Sequence, residues 1–188
     1  MVIRSLIYWG LPSLALVING VLLLLLSLSK KDRLIRSFIP FIAVMIAWAA
    51  SSLLMKIQFY PSVLFWNRVM VASITMVPYF AYIFVSIFTN QIKKSSILAW
   101  SLIILVIQIM NIMGIMVTSA EMVPVIINGV ETYELIYALG PWSYVGFGSV
   151  FVLLAVSLNK MRKAFKRGET HSNKLRPVML GYLFFMLA

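Results

Sequence analysis

An all-α integral membrane protein is the fold class that this sequence predicts, and three observations carry it. Apolar residues make up 62% of the 188 and charged residues only 11%, a balance that a water-soluble domain has no interior to bury. The charges fall in clusters and leave uninterrupted charge-free stretches at 5–29, 37–55, 69–92, 95–120 and 135–159. Each matches or approaches the roughly 20 residues that a spanning helix needs. The clusters are also uneven: 13 of the 16 Lys and Arg lie in every second connection. The expectation is one membrane domain over 1–188, with transmembrane helices at about 6–29, 38–56, 66–89, 96–118, 141–159 and 177–188. The last charge-free stretch has 12 residues, about 18 Å of a core roughly 30 Å thick. The sequence therefore reads as a fragment cut within helix 6, showing six helices of an expected seven.

Helix 1 carries Tyr8, Pro12 and Asn19 along one side, a partner-facing edge. Its apolar part is too long for a signal peptide and no small-residue cleavage site closes it. Lys30, Lys31, Asp32, Arg33 and Arg36 form a short basic loop, and helix 2 is expected to start near Pro40, since proline suits a first turn. It carries Trp48, Ser51 and Ser52. The connection that follows includes Tyr60, Pro61, Phe65 and Trp66, aromatic residues of the kind that settle at a membrane interface.

Helix 3 has a polar edge. Arg68, Thr75, Tyr79, Tyr82 and Ser86 fall within one narrow sector at about 100° per residue. Hydrocarbon offers such a stripe no partner, so it belongs against other helices or a wet cavity. Pro78 removes the donor that would reach the carbonyl of Ile74, and Thr75 stands one turn back to help satisfy the freed groups. Helix 4 repeats the pattern with Ser101, Gln108, Asn111 and Thr118. Two readings stay open: interhelical hydrogen bonding, or the wall of a pocket opening at the Arg68 end. Arg68 itself either snorkels to headgroups or turns inward to receive a carboxylate or phosphate. In the second case Glu121, placed at the outer end of helix 4, is its resting partner. The candidate ligand-binding residues are Arg68, Thr75, Tyr79, Tyr82, Gln108, Asn111 and Glu121.

The one long connection, between helices 4 and 5, flanks Asn128-Gly129 with strand formers. Asn-Gly tolerates the positive φ of a type I′ turn, so a small extracytoplasmic β-hairpin is expected, pairing 125–127 with 130–132 over the bundle. Asn128 and Gly129 are candidate lid residues. Gly140-Pro141-Trp142 then starts helix 5, and the connection beyond it holds Lys160, Arg162, Lys163, Lys166, Arg167, Lys174 and Arg176 with Glu169 and His171.

The connections after helices 1, 3 and 5 together carry the whole net charge of +11, and the opposite side is neutral. By the positive-inside rule the basic side is cytoplasmic, so the N-terminus, Arg68 and the hairpin are expected outside the plasma membrane. The charge serves topology and anionic headgroups rather than nucleic acid. With no cysteine and one histidine, neither a disulfide framework nor a metal site is expected, and no cofactor is implied.

Trp48, the start of helix 3 at Phe65-Trp66-Asn67-Arg68, Pro78-Tyr79-Phe80 midway along it, Gly140-Pro141-Trp142 after an outer hairpin, and Leu175-Arg176 with Gly181 form a recognisable set. The arrangement resembles the N-terminal seven-transmembrane sensor region of bacterial sensor histidine kinases and some diguanylate cyclases. The resemblance implies a receptor module for a small-molecule or peptide signal. It also implies a cytoplasmic kinase or GGDEF output domain in cis, and a homodimer in the full-length protein. No set of catalytic residues stands in the chain itself. The alternatives are a small-molecule transporter, for which mid-span ionisable groups are missing, and a structural membrane subunit.

Overall fold

The computed structural model describes residues 2–29, 32–127 and 130–167. Among them are five helices, α1 (Val2–Leu28), α2 (Arg33–Lys56), α3 (Val63–Phe88), α4 (Lys94–Ile112) and α5 (Ser143–Lys166). Between α4 and α5 run strands β1 (Val117–Ile127) and β2 (Val130–Leu139). From Trp9 onward, every helix is long and apolar enough to cross a membrane. The expected helix at 177–188, with His171, Lys174, Leu175, Arg176 and Gly181, lies outside the described residues, as do Asn128 and Gly129.

α3 is the centre of the molecule. It packs against α2, α4, α5 and β1, while α1 packs mainly against α2. Half of its most apolar window is buried, against none of that of α1. Val71, Tyr82, Ile104, Ile107, Met116, Val117 and Leu153 form the main core, so α3, α4, α5 and the base of β1 all contribute to it. A second cluster, Val85, Met161 and Ala164, joins α3 to the far end of α5. The helix continues through Pro78 without a break.

Helix boundaries differ from the sequence expectation where local chemistry decides them. α2 begins at Arg33, not near Pro40, because Asp32 caps it: its carboxylate accepts from the Ile35 N–H at 2.7 Å. Pro40 is thus an interior residue, and Arg33 and Arg36 belong to the first turn rather than to a loop. α4 ends at Ile112 instead of 118 because Gly114 adopts φ +79°. Its N–H bonds to Asn111 and that of Ile115 to Met110, the double closure of a Schellman motif. Gln58 and Asn90, both at φ 50°, end α2 and α3 in the same way. α5 runs to Lys166 rather than 159, since Lys, Arg, Met and Ala all favour helix and cations suit a helix C-terminus.

β1 and β2 are antiparallel, with Ile127 opposite Val130, Val125 opposite Thr132 and Val117 opposite Leu139. The strands are therefore much longer than the three-residue pairs expected. Val117 and Ala120, at the base, are buried. The described remainder, 121–126 and 133–139, contains no buried residue, so the ribbon is anchored at its base rather than laid over the bundle.

Candidate functional site

The polar edge of α3 meets α4 in a ladder. Asn111 donates from Nδ2 to the Arg68 carbonyl at 2.8 Å. Gln108 donates to Thr75 Oγ1 at 2.9 Å and to the Ala72 carbonyl at 3.3 Å. Tyr79 and Ser101 share a hydrogen bond of 2.6 Å between hydroxyls, and Tyr82 and Ser96 one of 2.8 Å. The partners descend α4 as α3 is climbed, which is what two antiparallel helices with matched stripes must do. Six of the candidate residues, Arg68, Thr75, Tyr79, Tyr82, Gln108 and Asn111, are thus brought together, but along a seam.

The Thr75 hydroxyl donates toward the carbonyls of Val71 and Ala72, not to that of Ile74, which Pro78 leaves without its usual donor. Asn19 likewise turns its amide to the Ala15 carbonyl of its own helix.

At the ribbon end, Arg68 turns inward. Its Nη2 donates to the Val117 carbonyl at 3.3 Å, and the guanidinium lies against Gly114, where any side chain would collide with it. Glu121 is not its partner. With α4 ended at Ile112, Glu121 stands on β1 opposite Ile136. Ala120 is buried, so its neighbour Glu121 faces the other way and is exposed.

This end is under-bonded. Arg68 Nε, Asn111 Oδ1 and Asn67 Oδ1 are buried and have no hydrogen-bond partner. Asn67 is 1% exposed and Asn111 2%. Asn67 faces α2, where its Nδ2 reaches only Met55 Sδ, at 3.7 Å. Arg68 and Asn111 face each other across the α3–α4 seam. A buried polar atom without a partner costs about 1–3 kcal/mol, and here two such atoms stand on α3 and one on α4.

The opposite end is complete. Lys160, on α5, donates to Ser86 Oγ at 2.7 Å, to the Gln91 carbonyl at 3.0 Å and to Tyr82 Oη at 3.2 Å. Its ammonium also lies 4.3 Å from the Tyr82 ring centroid, within cation–π range. Gln91 returns a bond from Nε2 to the Lys160 carbonyl at 3.2 Å. All three ammonium donors are therefore engaged.

Sequence reasoning missed Lys160, Gln91 and Asn67. A signal for Lys160 was present: Leu153, Leu154, Ser157, Met161 and Ala164 continue one buried stripe through the basic segment, and Lys160 borders it. No family model, curated protein or solved structure matches this chain.

Proposed function

We infer that this chain is a membrane-embedded receptor module. The contrast between the two ends of α3 carries the reading: buried polar atoms lack partners beside Arg68, while every donor of Lys160 is engaged. An incoming anion that accepts from Arg68 Nε supplies a bond that the unliganded fold lacks, so its binding is favoured there. Arg68 selects a carboxylate or phosphate, and the exposed apolar residues at that end of α4, Ile109, Ile112 and Met113, would contact an apolar body attached to it. Thr75, Tyr79, Tyr82 and Gln108 already have partners, so their part is to make α3 and α4 respond together. Lys160 then delivers any shift of α3 to α5.

In this reading the ribbon end is outside and the basic end cytoplasmic, supported by the 13 of 16 Lys and Arg on one side. An output domain in cis, a histidine kinase or a diguanylate cyclase, would receive the shift of α5, and the full-length protein would act as a homodimer.

Two experiments test this. The chain has no cysteine, so Lys93→Cys, Lys163→Cys and Asn128→Cys can each be probed with an impermeant maleimide on whole cells. Labelling at 128 with protection at 93 and 163 is expected, and the reverse pattern refutes the topology. For binding, the chain in nanodiscs carries an environment-sensitive fluorophore at Lys163→Cys and is titrated with decanoate, inorganic phosphate and acetate. Decanoate should change the signal, and Arg68→Lys should weaken that response about tenfold because lysine lacks the fork. Equal responses from Arg68 and Arg68→Lys would remove Arg68 from the site.

A further inference from the structure

The two edges of the ribbon are not equivalent. Pro124 lies in β1 opposite Tyr133. Proline has no N–H, so the ladder admits it only where that group would have pointed outward. This makes Pro124–Tyr133 a pair that exchanges no hydrogen bonds with each other, and it directs the N–H and C=O of Tyr133 to the outer edge of β2. The only irregularity in the register lies between Val117 and Ser119. Alternation therefore holds from Ser119 onward, and Leu135 and Tyr137 also present their backbone groups outward. The outer edge of β1 lacks a donor at Pro124, whereas that of β2 is complete. β1 is the strand that packs on α3. On β2, none of the residues 133–139 is buried; Tyr133, Ile136 and Tyr137 are all more than half exposed.

An open edge of this length is a template for another strand, and the sequence of β2 says which one. If a second β2 is laid antiparallel about a two-fold axis at Leu135, Leu135 meets Leu135, and Tyr133 meets Tyr137 on both sides. Glu134 meets Ile136, so no acid opposes an acid. Centring on Glu134 would set two carboxylates against each other, and centring on Tyr133 or Tyr137 would shorten the overlap. Aromatic cross-strand pairs contribute roughly 0.2–1 kcal/mol each. Symmetry doubles every favourable contact.

We propose that β2 is a dimerisation edge: two copies of this chain join their ribbons into a four-stranded antiparallel sheet centred on Leu135. The interface uses backbone groups that the single chain leaves unpaired, with the tyrosine pairs fixing its register. It is independent of whether Arg68 binds a ligand, and its test involves no ligand.

The test is cysteine cross-linking of the chain in liposomes. The two-fold places the Leu135 Cα atoms about 5.5 Å apart, inside the disulfide range of about 4.4–6.8 Å. Two copies of position 136 are diagonal neighbours at about 7–8 Å, beyond bridging. Leu135→Cys should therefore cross-link under mild oxidation at least about tenfold more than Ile136→Cys. Tyr133→Pro removes an outward donor and leaves the ribbon's own ladder intact, so adding it should abolish the Leu135→Cys cross-link while the melting temperature of the chain is kept. Equal cross-linking at 135 and 136, a cross-link indifferent to Tyr133→Pro, or a chain that remains monomeric would each overturn the proposal. A bridge formed only between Tyr133→Cys and Ile136→Cys copies would also overturn it, because that pairing belongs to another register.

Discussion

The two ends of α3 are built from similar residues and reach opposite outcomes. At the basic end a lysine, two hydroxyls and a backbone carbonyl close on one another, and each ammonium proton has an acceptor. At the ribbon end an arginine and two asparagines are as deeply placed, yet Arg68 Nε, Asn111 Oδ1 and Asn67 Oδ1 are left over. The difference lies in shape. An ammonium on a flexible stem collects three acceptors in any roughly tetrahedral arrangement, whereas guanidinium and amide groups are planar and demand partners in fixed directions. Gly114, Val117 and the α4 terminus satisfy one direction of Arg68 and not the next. A filled network holds two helices in one place; a partly filled one costs the free energy of each buried group left without a partner.

Three experiments would break or sharpen that contrast. Lys160→Met keeps the stem and removes three charge-assisted bonds, so it should destabilise the chain by about 3 kcal/mol, read as a lower melting temperature in detergent. A loss under about 1 kcal/mol would mean that the clamp is slack. In the middle of the seam, a double-mutant cycle of Thr75→Val with Gln108→Ala should give a coupling of about 0.6 kcal/mol, the usual size for a hydrogen bond between membrane helices. Zero coupling would dissolve the ladder into coincidental contacts. The smallest effect is expected at the ribbon end. Asn111→Leu loses one bond to the Arg68 carbonyl but also removes an acceptor with no partner, and the net change should be within about 0.5 kcal/mol. If it matched Lys160→Met, the two ends would not differ in the way described.

Much of this site was legible beforehand, and the misses have identifiable causes. The i, i+7, i+11, i+14 spacing from Arg68 to Tyr82 put one stripe on one helix face, and Gln108 and Asn111 put another on α4, so their meeting followed from helical periodicity. Glu121 was misplaced because Gly114 ends α4 through its backbone, and a lone glycine in an apolar run is compatible with a helix until φ is known. Lys160 was assigned to a loop because charge was taken as the limit of the helix. Helix formation is decided by the backbone and by the packed face, and lysine is tolerated wherever its head reaches polar company. Asn67 carries no period of its own, and only its neighbour Met55 on α2 gives it a role.

What the sequence determined by itself is the class of object: apolar stretches of spanning length, a charge bias toward alternate connections, and strand formers on both sides of Asn128-Gly129. These are properties of single segments, and bilayer thickness, helical period and turn geometry act on segments one at a time. What only the tertiary structure decided is which polar atoms find partners. That depends on the distance and direction between groups far apart in the chain, such as Arg68 and Val117 at 3.3 Å or Lys160 and Ser86 at 2.7 Å. A hydrogen bond weakens steeply with angle and distance, so Lys160 is fully engaged at one end of α3 while Arg68 Nε and Asn67 Oδ1 stay without a partner at the other.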